Sequence, residues 1–136
     1  MPTKFIGMVS YTLFDDRVEI RIERIKNDND GGHTGTLKIQ LITADYSYSG
    51  GTLFGSSFDI LADFNMDILP GGYSRRGIKK SCKKLHQHDR THVILLLKEH
   101  NSASTCFDKF PIIDYRNFDK KSNWHPEKIL YHGTTQ

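Results

Sequence analysis

Two cysteines in 136 residues are too few for a disulfide scaffold. Cys82 and Cys106 stand in no Cys-x-x-Cys motif, which leaves a metal or redox role without a signature. A single bridge between them stays open, since sequence carries no geometry. Two free thiols in a reducing compartment is the simpler expectation. No apolar run approaches the roughly 20 residues needed to cross a bilayer. The opening MPTKFIGMVSY lacks an apolar segment and a small-residue cleavage site. No secretory signal is therefore expected, and the expected location is cytoplasmic with no membrane partner. Tryptophan occurs once, at Trp124.

What is present is periodic. A hydrophobic fraction of 37% distributed in regular patterns argues for one folded domain with an ordinary core. From Arg17 to Asp45, two alternating stretches flank a polar, glycine-marked segment. Val18, Ile20 and Ile22 point one way in the first, and Leu37, Ile39 and Leu41 in the second. The pattern predicts an antiparallel hairpin, with an irregularity where the alternation slips at Arg24-Ile25. Ahead of it, Phe5–Phe14 is expected as a strand with Phe5, Val9, Tyr11 and Leu13 inward, and Gly7 either weakens it locally or marks a bulge.

Phe58–Ile68 alternates cleanly, which predicts Phe58, Ile60, Ala62, Phe64, Met66 and Ile68 on one face. The VILLL run after His92 is apolar on both sides and predicts a central strand covered on both faces. Phe110–Phe118 is the expected last core strand. The core is expected from the strands at Val18, Leu37, Phe58, Val93 and Phe110. Spacing and turn signals together predict an all-β, immunoglobulin-like antiparallel β-sandwich of about seven or eight strands. It spans residues 1–118, with 119–136 as a C-terminal tail.

Charge is uneven. The stretch from Arg75 to Arg90 holds seven of the 19 basic residues and one of the 16 acidic ones, Asp89. The rest of the chain is left with 12 basic against 15 acidic residues. Within this segment Ile78, Cys82 and Leu85 fall at helical spacing, so a short helix and an irregular strand are both open. The functional reading is a contact for an anion, a nucleic acid or an acidic protein. The structural one is a solvated edge whose lysines prevent sheets from pairing. No aromatic residue is interleaved among the lysines to stack bases.

Other motifs are weaker. Asp28 and Asp30 precede Gly31 in NDNDGGHTG, but the spacing is wrong for a calcium loop and the closing glutamate is missing. Gly50-Gly51 has no following lysine-serine pair or helix, so a turn is expected rather than a phosphate cradle. His86, His88 and His92 are close in sequence, but zinc requires three or four ligands with ordered support. Glu99 and His100 have no nucleophile or oxyanion donor beside them. No catalytic residue and no cofactor is expected.

Several pieces, in order, resemble an accessory domain of bacterial secreted and surface proteins. They are Asn27 at a strand end, Gly35-Thr36-Leu37, Tyr48-Ser49-Gly50-Gly51, Leu69-Pro70-Gly71-Gly72-Tyr73, HVILLLKEH and the closing Asp114-Tyr115-Arg116-Asn117-Phe118. The resemblance covers roughly Phe5 to Phe118 and implies a β-sandwich with no assigned catalytic residues. Ile42 stands near a point where the family usually carries tryptophan, and KKSCKKLHQHDRTH replaces a proline-rich approach to the penultimate strand.

The expected function is a non-enzymatic protein-binding module, suited to a small regulator or inhibitor of the kind carried by phage or mobile elements. Its contacts with an acidic partner would come from Arg75, Arg76, Lys79, Lys80, Lys83, Lys84 and Arg90, with Trp124 in the tail. The alternatives are a nucleic-acid-binding protein using the same segment and a metal-dependent enzyme built on the three histidines.

Overall fold

The computed structural model describes residues 3–86, 90–118 and 131–135. Eight strands follow in order: β1 (Thr3–Leu13), β2 (Arg17–Asn27), β3 (Leu37–Ala44), β4 (Phe58–Met66), β5 (Ser74–Lys83), β6 (His92–Glu99), β7 (Ile112–Phe118) and β8 (Tyr131–Thr135). They form two antiparallel four-stranded sheets, ordered β5-β2-β1-β8 and β4-β3-β6-β7, which pack as a sandwich. Among the described residues no helix is long and apolar enough to cross a membrane.

In β2 and β3 the inward residues are the ones that the alternation selects. Val18, Ile20 and Ile22 of β2 meet Leu37, Ile39 and Leu41 of β3, and Val93, Leu95 and Leu97 of β6, in one buried core. Yet β2 and β3 are not a hairpin. β2 pairs with β1 and β5, and β3 pairs with β4 and β6 in the opposite sheet. An alternating strand presents the same apolar face whether its successor lies beside it or across the core, so periodicity does not choose between these arrangements. Both flanks of β2 are already occupied. β1 reaches it by a tight turn in which the Phe14 N–H donates to the Arg17 carbonyl at 2.9 Å.

The segment between β2 and β3 is therefore a crossover, and it is held by the connection between β4 and β5. Buried Asn27 donates through Nδ2 to the Leu69 carbonyl (2.9 Å) and accepts the Asn29 N–H at Oδ1 (3.0 Å). Thr34 and Leu69 exchange two hydrogen bonds, one of them from the Leu69 N–H to Thr34 Oγ1. The polar residues of NDNDGGHTG thus satisfy backbone groups that leave the sheets.

Two irregularities redirect side chains. In β1 the register against β2 shifts between Ile6 and Val9. Of the two readings of Gly7 the structure has the bulge: Gly7 has φ of 80°, and the Glu23 carboxylate lies where a side chain on Gly7 would stand. Met8 N–H donates to Glu23 Oε1 at 3.1 Å. The second shift lies between β3 and β4 at Leu41/Ile42. It overturns the single face predicted for Phe58–Ile68. Ala62, Phe64 and Met66 join the main core, whereas Phe58 and Ile60 pack in a second cluster. Leu61 turns inward beside Ala62, and Ile68 lies beyond the strand, exposed. One extra residue in a strand exchanges its faces from that point on.

The second cluster covers the far side of β3 and β6. Ile42, Ala44, Ile94 and Leu96 are buried there beneath Tyr48, with Leu53, Ile112 and Tyr115 around them. This is why VILLL is apolar on both faces. The cover is fastened by Asn117, which exchanges hydrogen bonds with the Tyr48 backbone at 2.9 and 2.8 Å. Tyr48 also stands edge-on to Tyr115, with ring centroids 4.8 Å apart.

The open flank of β1 is closed in two ways. β8 pairs with Val9–Leu13, so the sandwich takes its last strand from the stretch set apart as a tail. Nearer the start of β1, side chains from β7 take the place of a strand. Asp114 accepts the Phe5 N–H at 2.8 Å, and Arg116 donates to the carbonyls of Phe5 (3.0 Å) and Gly7 (2.9 Å).

Candidate functional site

The basic segment is β5, an edge strand whose ladder partner is β2. Residues four apart share a face in a strand as nearly as in a helix, so Ile78 and Cys82 satisfied both patterns. Pairing with β2 selects the strand. Both side chains pack against the main core, and Leu85 lies outside it, exposed.

The extended backbone then splits the cations that sequence grouped together. Lys79 and Lys83 lie on the outer face of the sheet, opposite in register to Arg21 and Arg17 of β2. Lys80 lies on the side of Ile78 and Cys82, with its ammonium 5.9 Å from the centre of the Phe64 ring. That is an inward-leaning charge at an edge, which discourages further strand pairing. Arg75 and Arg76 are exposed on the far side of Gly77, whose φ is 61°. Lys84 Nζ donates to the Phe14 carbonyl at 3.2 Å, which ties it to the β1–β2 turn.

Arg90 is engaged elsewhere. Its Nε donates to Asp59 Oδ2 at 2.9 Å and its Nη1 to Asp45 Oδ2 at 2.8 Å. The hydrogen bond to Asp59, then that to Asp45, holds its pKa above the ordinary arginine value. Arg90 clamps the ends of β3 and β4 and adds no free charge to the face of β5. Trp124 and His88 lie outside the described residues.

Sequence reasoning missed Arg17 and Arg21. They stand on the face of β2 opposite Val18, Ile20 and Ile22, and nothing local in the sequence indicates that β5 lies beside them. Together Arg17, Arg21, Lys79 and Lys83 form a four-cation array on two neighbouring strands, about 4.8 Å apart in the sheet direction. Glu19, between Arg17 and Arg21, is its acid. It pairs with Arg21 at 2.8 Å and with Lys79 at 4.0 Å. Two like-charge pairs, Arg17/Lys83 and Arg21/Lys79, thus stand directly opposite each other. Such pairs oppose sheet formation by a few tenths of a kcal/mol up to about 1 kcal/mol. The side chains of Arg21 and Lys79 remain 59% and 61% exposed, so water screens much of that repulsion.

The remaining candidates disperse. His86 Nε2 lies 3.7 Å from Asp59 Oδ1, while His92 Nδ1 lies 2.9 Å from Thr91 Oγ1. Among the described residues no group of three or more His, Cys, Asp or Glu is arranged to hold a metal ion. Asp28 forms ion pairs with Lys26 (3.2 Å) and Lys4 (3.4 Å), and the hydrogen bond from Lys26 leads in lowering its pKa. Glu99 accepts the Gly35 N–H at 2.8 Å, and the His100 ring stands against Phe110. The Gly51 carbonyl accepts the Tyr48 hydroxyl at 2.7 Å, which uses the double glycine as a turn. Cys82 and Cys106 are free thiols, and burial, ahead of any charge, pushes the Cys82 pKa up. Comparison with known proteins finds no matching family model, no matching curated protein and no matching solved structure.

Proposed function

We propose that this chain is a binding module that engages an acidic protein surface through the outer face of β5 and β2, with no chemistry of its own. It acts as a regulator or inhibitor by occupying that surface. The reading rests on one observation: Arg17 and Arg21 project from a central strand directly opposite Lys83 and Lys79. Edge protection accounts for lysines on β5. It does not account for arginines on β2, whose two flanks are both paired, although Arg17 also stacks over the Phe14 ring at 3.9 Å and Arg21 pairs with Glu19 at 2.8 Å. Glu19 offsets part of the charge at Arg21 and Lys79, and an anionic partner would match what remains, with arginine carboxylate pairing giving the contact directionality.

The test is retention on immobilised polyglutamate and on an immobilised DNA duplex across a salt series. The wild-type chain is expected to bind polyglutamate and to elute with rising salt. Arg17→Glu, Arg21→Glu, Lys79→Glu and Lys83→Glu together are expected to abolish retention while the melting profile stays cooperative. Unchanged retention of that variant sinks the proposal. Stronger holding by the duplex, with a steep salt dependence, replaces the protein partner with a nucleic acid.

A further inference from the structure

We draw no further inference here: the strongest candidate, the fully exposed Phe107 on the β6–β7 loop that Asp108 braces against Lys98 and the Phe110 N–H, is a lone apolar side chain, and nothing in the structure shows what covers it.

Discussion

The outer faces of the two sheets have opposite fates. The outer side of β3 and β6 carries Ile42, Ala44, Ile94 and Leu96, and the chain covers it with Tyr48, Leu53 and Tyr115. The outer side of β5 and β2 carries Arg17, Arg21, Lys79 and Lys83, and residues on it stay exposed. The same strand geometry thus builds a second small core on one side and a charged surface on the other. Apolar side chains demand a cover from within the chain. Cations can stay in water, and here Glu19 of the same face already pairs with two of them, Arg21 and Lys79. The difference bears on the proposed binding role: the covered face is closed by the chain's own residues, so the charged face is where that proposal is tested.

The comparison is open to attack, beginning with the covered face. Leu96→Ala should cost about 2–5 kcal/mol, comparable with Leu95→Ala in the main core, in urea denaturation. A cost near zero for Leu96 would mean that the second cluster is not a packed core. Asn117→Ala removes both hydrogen bonds that fasten Tyr48 and should cost about 1–3 kcal/mol. Limited proteolysis should then cut within residues 45–57 before the chain unfolds globally.

Part of the acid sensitivity is expected beside the covered sheet. Burial is the largest single influence on Asp108 and pushes its pKa up, but the hydrogen bonds from Lys98 (2.7 Å) and the Phe110 N–H (2.9 Å), with the Lys98 charge, leave it lowered overall. A lowered folded-state pKa means that the stabilisation is present above the unfolded value of about 3.9 and is lost as pH falls through the folded one. Asp108→Asn should therefore flatten the acid limb of stability, measured as urea midpoints between about pH 5 and pH 2. The smallest stability effect is expected on the bare face. Lys79→Ala should change stability by less than about 0.5 kcal/mol and still weaken polyglutamate retention. A large destabilisation there would make Lys79 a structural residue.

Legibility in the sequence followed the range of the interactions. The inward set of β2, the double-sided apolar run in β6 and an irregularity at Gly7 were all readable, because each is written in a few consecutive residues. The crossover after Asn27 was not, since Asn27 and Thr34 find partners about forty residues away, at Leu69. The flip of Phe58 and Ile60 was equally hidden. Alternation in β4 continues on paper through Leu61, and the bulge is visible only against β3. Arg90 looked like part of the basic segment because it is near Lys84 in sequence, while Asp45 and Asp59 claim it in space.

Side-chain chemistry at period two decided that this chain forms strands and which residues turn inward, because a strand's faces are a local property of the backbone. Which sheet each strand joins, and so which cations become neighbours, was decided by long-range pairing. Register brings Arg17 to Lys83 and Arg21 to Lys79 across more than fifty residues of chain. Backbone ladders and core packing set those juxtapositions together, and neither is encoded within one strand.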